Sequence, residues 1–192
     1  MVKRSQVIFV MVAIGFSLGV ATISTGLTKT ALPSATSKKE KIYNYPISLV
    51  KSLNKTVILA THNQYRREIG IASLQWSENL ANSAQTWANH LASINSMRHS
   101  STRYGENLWS GTPNAYSQIE MVNAWGEQKK YFIPNRPVPH TCQGGWHRCG
   151  HYTQIIWKNT TQVGCGLARG RQRDYLVCQY NPPGNFVGQK PF

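Results

Sequence analysis

Gly150-His151-Tyr152-Thr153-Gln154-Ile155-Ile156-Trp157 sets one titratable imidazole at the mouth of an apolar and aromatic segment, the setting a functional histidine needs. Further on, Tyr175-Leu176-Val177-Cys178-Gln179-Tyr180-Asn181-Pro182-Pro183-Gly184-Asn185-Phe186 carries an alternating strand pattern into a Pro-Pro-Gly-Asn turn. Strands are therefore expected at 155–157, 163–167 and 174–180, with short edge strands at 74–76 and 107–109. The first half reads differently. Ile58, His62, Tyr65 and Ile69 recur at helical spacing and Gly70 stands where a helix stops, which predicts a helix over 53–69 with Asn63, Arg66 and Arg67 on its polar face. Ser77 can cap a second helix that ends near Asn95, its apolar stripe made of Leu80, Ala84, Trp87, Ala88 and Leu91. Asn114 is the expected cap of a third, with Tyr116, Ile119, Val122 and Trp125 facing inward, and Pro134, Pro137 and Pro139 enforce the loop that follows. Helices first and strands second favour an α+β fold, helices packed on an antiparallel sheet, over an alternating parallel one.

The ends of the chain bound its class. Lys3 and Arg4 precede an apolar run from Val7 to Val20, which reads as an export signal over 1–24 with cleavage after Ser24, or as a retained N-terminal anchor. Residues 25–52 are rich in Thr, Ser, Lys and Pro and read as a flexible basic linker, leaving 53–192 as one domain. The formal charge of +14 invites a nucleic-acid reading, but 8 of the 21 basic residues precede Thr56. Beyond it stand 13 basic and 6 acidic residues, which implies no specific nucleic-acid partner. Arg169, Arg171 and Arg173 cluster in an expected hairpin turn that either meets an anionic membrane or wall surface or is simply solvated. Cys142, Cys149, Cys165 and Cys178 are even in number behind an export signal, so disulfides are expected, and no Cys-x-x-Cys pair suggests a zinc knuckle. Of the three possible connectivities, Cys142 with Cys149 and Cys165 with Cys178 is favoured because the second pair can join neighbouring strands.

Acids are scarce, so those in apolar settings carry information: Glu106 in Tyr104-Gly105-Glu106-Asn107-Leu108-Trp109 and Glu127 in Trp125-Gly126-Glu127-Gln128-Lys129. Two carboxylates and two imidazoles can serve as metal ligands or as an acid and base tuned by burial, but spacing alone does not bring them together. With all four thiols expected as cystines and no Gly-x-Ser-x-Gly elbow, Cys-His and serine hydrolase chemistry is disfavoured. His62, on an inward stripe, reads as a packed histidine, and His90, His140 and His147 as peripheral.

The segments around His151 and Tyr175–Phe186, with Arg98-His99-Ser100 and Gly105-Glu106-Asn107-Leu108-Trp109, resemble the signatures of the CAP superfamily of cysteine-rich secretory, antigen 5 and pathogenesis-related 1 proteins. The resemblance implies a three-layer α-β-α sandwich around a central antiparallel sheet. It further implies a cavity lined by His99, Glu106, Glu127 and His151, with His99 and His151 as possible ligands of Zn²⁺ or another divalent metal, or as part of a hydrogen-bonded structural cluster. By the same resemblance the chain is expected to be a secreted, more often non-enzymatic protein that binds a sterol, fatty acid or other small apolar ligand, in defence or envelope interaction. Some of the aromatic residues Trp109, Trp125, Tyr131, Phe132, Trp146, Tyr152 and Trp157 are candidates to line such a groove. A metal-dependent hydrolase or peptidase with Glu106 or Glu127 as base is the alternative. A further one is a precursor, because Pro182–Phe192 is similar to the signalling peptide of plant pathogenesis-related 1 proteins, although Phe192 stands for the usual Tyr.

Overall fold

The computed structural model of the chain describes residues 52–192. The expected leader or anchor at 1–24 and all but the last residue of the 25–52 linker lie outside the described residues. Within them, the chain runs α1 (Lys55–Glu68), β1 (Gln75–Trp76), α2 (Glu78–Ile94), β2 (Gly105–Gly111), α3 (Gln118–Gly126), α4 (Gly150–Ile155), β3 (Gln162–Arg169) and β4 (Asp174–Asn181). No helix among the described residues is long and apolar enough to cross a membrane.

The strands form one sheet in the order β1-β3-β4-β2. β4 lies antiparallel between β3 and β2, while β1 pairs with β3 in parallel, so the sheet is mixed rather than wholly antiparallel. Its central strand shows why there are three layers. Successive side chains of a strand point to opposite faces. Leu176, Cys178 and Tyr180 therefore enter one core, with Ile58, Tyr65, Met121 and Trp125 from α1 and α3, and with Tyr152 and Ile155 from α4. Tyr175 and Val177 enter the other, with Ala84, Ala88 and Leu91 of α2. On that second face Gly164 and Gly166 let α2 lie against the strand backbone: a Cβ on Gly166 would sit 2.2 Å from the Gln85 Cα, and one on Gly164 2.2 Å from the Ala81 nitrogen.

The α2 limits agree with the sequence, Ser77 capping the Leu80 N–H and Asn95 closing the helix in the left-handed region. Three expectations are corrected. First, Ile155–Trp157 is not a strand: Gly150–Ile155 is α4, in which Tyr152, Ile155 and Ile156 recur at the i, i+3, i+4 spacing of one buried helical face. Packing overrides the β preference of the isoleucines. Second, Ser117 rather than Asn114 caps α3, in a reciprocal capping box with Glu120. The inward stripe is then Gln118, Met121, Val122 and Trp125, leaving Tyr116 43% and Ile119 48% exposed. Third, Asn63 and Arg66 are buried, not on a polar face. Asn63 bonds both main-chain groups of Leu74. Arg66 donates to the carbonyls of Ala72, Ile155, Trp157 and Thr160 at 2.7–3.0 Å, fastening α1 to the chain around α4. Burial lowers its pKa to about 10, and the four acceptors compensate the desolvated charge.

Disulfides join Cys142 to Cys149 and Cys165 to Cys178, the latter pair directly opposite each other on β3 and β4. The β3–β4 turn does gather arginines, but Arg169 is paired with buried Asp174, so Arg171 and Arg173 alone are exposed. Of the seven aromatic residues named above, Trp125, Tyr152 and Trp157 are buried in the core, and Trp109 and Phe132 pack against it.

The candidate functional site

The site forms where the start of β2, the N-terminus of α4 and the 3-10 turn Glu127–Tyr131 after α3 come together. Glu106, at the second position of β2, keeps its side chain almost wholly out of solvent (5% exposed), whereas that of His99 is 65% exposed. His99 Nδ1 meets Glu106 Oε1 at 2.8 Å, and the same oxygen accepts from the Ser100 N–H at 3.0 Å. The other oxygen, Oε2, accepts from Ser100 Oγ at 2.6 Å and from Gln179 Nε2 at 3.1 Å. Burial alone would raise the pKa of this carboxyl. The hydrogen bonds from His99, Ser100 and Gln179 outweigh burial and hold it below the ordinary value. The bond to Glu106 raises the His99 imidazole, with burial opposing.

His151 sits in the first turn of α4, its ring stacked on Trp125 at 6.2 Å between centroids. Its partner is Gln128, whose Oε1 accepts the His151 backbone N–H at 3.2 Å and whose Nε2 lies 2.8 Å from His151 Nδ1. Burial, with a smaller contribution from the nearby His99 charge, lowers its pKa to about 4, so the ring is neutral at pH 7. Asn107 supports it from β2, donating to the His151 carbonyl at 3.0 Å and to the Tyr180 hydroxyl at 3.2 Å. Tyr180 in turn bonds His62 Nε2 at 2.8 Å, while His62 Nδ1 bonds the Ile58 carbonyl at 2.8 Å. His62 is thus a packed, fully buried histidine three hydrogen bonds from the His151 carbonyl.

The structure joins His99 with Glu106 and brings His151 within electrostatic range of His99, but Glu127 goes elsewhere. It is exposed and accepts from the Tyr65 hydroxyl at 3.3 Å. Gln128 is the residue from that turn that reaches His151, and the sequence reading missed it. A signal for it existed. Trp125 faces the core, and the position three residues on shares its helical face, whereas the position two residues on does not. Ser100 and Gln179, which saturate Glu106, were missed too; no local pattern brings residues 100, 106 and 179 together before the β2–β4 register does.

No group of three or more His, Cys, Asp or Glu side chains comes together as a metal set among the described residues. His99, with Nδ1 on the Glu106 carboxylate, keeps the carboxylate-backed arrangement of a metal ligand, but Glu106 has two donors on each oxygen and His151 Nδ1 faces an amide NH₂, so the donor chemistry supplies no second ligand for Zn²⁺.

A second concavity lies apart from these residues, a cleft of about 870 Å³ walled by Leu53 and Val57 of the α1 region, Trp76 of β1, Ala81 of α2 and Ile119 of α3.

Comparison with known proteins places this architecture. The model of the cysteine-rich secretory protein family, CAP, matches residues 59–180. The basic form of pathogenesis-related protein 1 of Nicotiana tabacum is 39% identical over 137 residues, covering 70% of this chain and 73% of the relative. Pathogenesis-related protein 1 of Arabidopsis thaliana is 38% identical over 132 residues, 68% and 78% of the two chains. Among solved structures, NaASP2 with Zn²⁺ superposes with a TM-score of 0.62 at 18% identity, over 74% of this chain and 88% of that one. BmVAL-1 does so with 0.60 at 23%, over 73% and 83%. The sandwich fold, the residues matched and the level of identity agree: the chain belongs to the cysteine-rich secretory protein (CAP) family and is similar within it to the plant pathogenesis-related 1 proteins.

Proposed function

We propose that this chain is a secreted defence-type CAP protein that acts by binding rather than by catalysis, holding a sterol, fatty acid or similar apolar ligand in the cleft between α1, α2 and α3. The cleft is the observation that carries the reading: at about 870 Å³ it falls within the size of small-molecule sites, and Leu53, Val57, Trp76 and Ile119 give it an apolar wall among polar neighbours that include Lys55 and Glu78. Two disulfides suit an oxidising, extracellular compartment. Exposed Arg171 and Arg173 suit an approach to an anionic membrane or wall surface.

Hydrolysis is disfavoured by the state of the candidate bases. A general base needs a free lone pair within reach of a proton. Glu106 spends its lone pairs on His99, Ser100 and Gln179, His151 Nδ1 is occupied by Gln128, and Glu127 stands outside the site. No described cysteine is free to act as a nucleophile. Release of the C-terminal tail is disfavoured by its attachments. Asn185 bonds the Thr153 hydroxyl and the Gly150 carbonyl, the Val138 main chain bonds Gly188 and Gln189, and the Lys158 N–H bonds the Pro191 carbonyl.

The test is a fluorescence displacement titration of the full secreted chain with a fatty acid and a sterol. Saturable binding is expected, weakened at least about tenfold, roughly 1.4 kcal/mol, by Ile119→Lys. That change puts a charge on the cleft wall at a half-exposed position, so the fold should tolerate it. Absence of saturable binding, or an Ile119→Lys protein that binds as the parent does, would sink the proposal.

A further inference from the structure

The orientation of one amide carries a consequence for the ligand class of the His99–Glu106–His151 site. The Gln128 Oε1 accepts the backbone N–H of His151 at 3.2 Å, and a backbone N–H can only donate. The oxygen end of the amide is thereby fixed on the main chain, and the NH₂ end is fixed on His151 Nδ1 at 2.8 Å. An NH₂ donates, so Nδ1 accepts. In a neutral imidazole one nitrogen accepts and the other bears the proton, which places that proton on Nε2. Trp125 stacked on the ring and Asn107 on the His151 carbonyl hold this arrangement from two further sides. His151 Nε2 has no protein partner among the described residues and is not one of the sealed, unpartnered polar atoms, so its N–H reaches solvent. His99, whose charge is felt at His151, has its Nδ1 on the Glu106 carboxylate.

We propose that Gln128 locks His151 in the Nε2–H tautomer, so that this site receives an anionic oxygen, of a carboxylate or a phosphate, and does not take a divalent cation. A metal needs the Nε2 lone pair. In this chain that position is an N–H, and freeing it requires the proton to move to Nδ1, against the Gln128 NH₂. Rotating the amide to accept that proton would set its NH₂ against the His151 backbone N–H. Both bonds of the clamp therefore oppose metal binding. A glutamate at position 128 would reverse this, since one carboxylate oxygen can accept the backbone N–H and the other an Nδ1–H, the second-shell pattern that makes histidine a good ligand.

Three measurements on the full-length protein decide the matter. Long-range ¹H–¹⁵N correlation at pH 7 should show His151 with a bare, pyridine-like Nδ1 and a protonated Nε2. Calorimetric zinc titration should give at least tenfold tighter binding to the Gln128→Glu protein than to the parent, within the 10–100-fold typical of second-shell partners. Titration with sodium acetate and, separately, inorganic phosphate should shift the His151 Nε2 signal of the parent with at least one of them, naming the anion class, and leave that of Gln128→Glu in place. A protonated Nδ1 in the parent protein, equal zinc affinity in the two proteins, or a His151 signal indifferent to both anions would overturn the proposal. The tautomer measurement needs no variant, so a Gln128→Glu protein that failed to fold would still leave the first and third results to decide.

Discussion

Acid should loosen this fold well above the carboxylate range, and His62 supplies a worked magnitude. The imidazole is fully buried between Trp125 and Tyr180, with Nδ1 on the Ile58 carbonyl and Nε2 on the Tyr180 hydroxyl. Burial, helped by the Arg66 charge and opposed by the Ile58 bond, lowers its pKa from 6.5 to about 4. As pH falls below 6.5 the unfolded chain takes up the proton and the folded one does not, so stability is fully present above that value and declines until about pH 4. One pKa unit is worth about 1.4 kcal/mol, which makes the loss about 2 kcal/mol by pH 5 and about 3 kcal/mol by pH 4. His151, lowered to about 4 by burial, adds a loss of the same sign, while His99, raised by Glu106, acts in the opposite direction. The comparison that isolates His62 is therefore the parent against His62→Gln, in urea unfolding at pH 7 and pH 5. The parent should lose about 2 kcal/mol more than the variant between the two conditions. An NMR titration of the parent that placed the His62 midpoint near 6.5, or equal losses in the two proteins, would refute the reasoning.

Three further expectations follow from the packing. Gly166→Ala puts a Cβ 2.2 Å from the Gln85 Cα, so it should lower unfolding stability by at least about 1–3 kcal/mol; a neutral result would mean that α2 does not lie on β3 as described. Arg66→Met removes all four of these bonds and leaves the buried Ile155 and Thr160 carbonyls without that donor, at about 1–3 kcal/mol for each lost partner, so the secreted protein should fail to accumulate; normal yield with an unchanged thermal midpoint would contradict the clamp. Ending the chain at Asn181 removes the Asn185, Gly188, Gln189 and Pro191 bonds and the Phe192 contact with Phe132, so its thermal midpoint should fall by several degrees; an unchanged midpoint would show that the tail is not structural.

Much of this architecture was legible because it follows from short-range physics. The Ser77 cap and the Leu80–Leu91 stripe define α2 without any tertiary information, and the pattern from Tyr175 to Tyr180 marks a strand, although its burial on both faces follows only from the helices packed on either side. The failures share a cause. Arg66 reads as solvated because a guanidinium ordinarily is; only the four carbonyls gathered by distant loops make its burial affordable. Ile155 and Ile156 read as strand because β-branching outweighs a single turn of helical spacing, yet Arg66 and the α3 core fix them in a helix. At the site, His99, Glu106 and His151 are individually recognisable, but Glu106 draws its saturating donors from positions 100 and 179, and the choice of Gln128 over Glu127 depends on which way a 3-10 turn faces.

Binding of an apolar ligand in the α1–α2–α3 cleft is tested most directly by a ¹⁵N-NMR titration of the full secreted chain with a fatty acid and with a sterol. Saturable shifts around Leu53, Trp76 and Ile119 with either ligand, over and above any that acetate alone produces at His151, are the predicted result. Shifts confined to His99, Glu106 and His151, or no saturable response to either ligand, would contradict it.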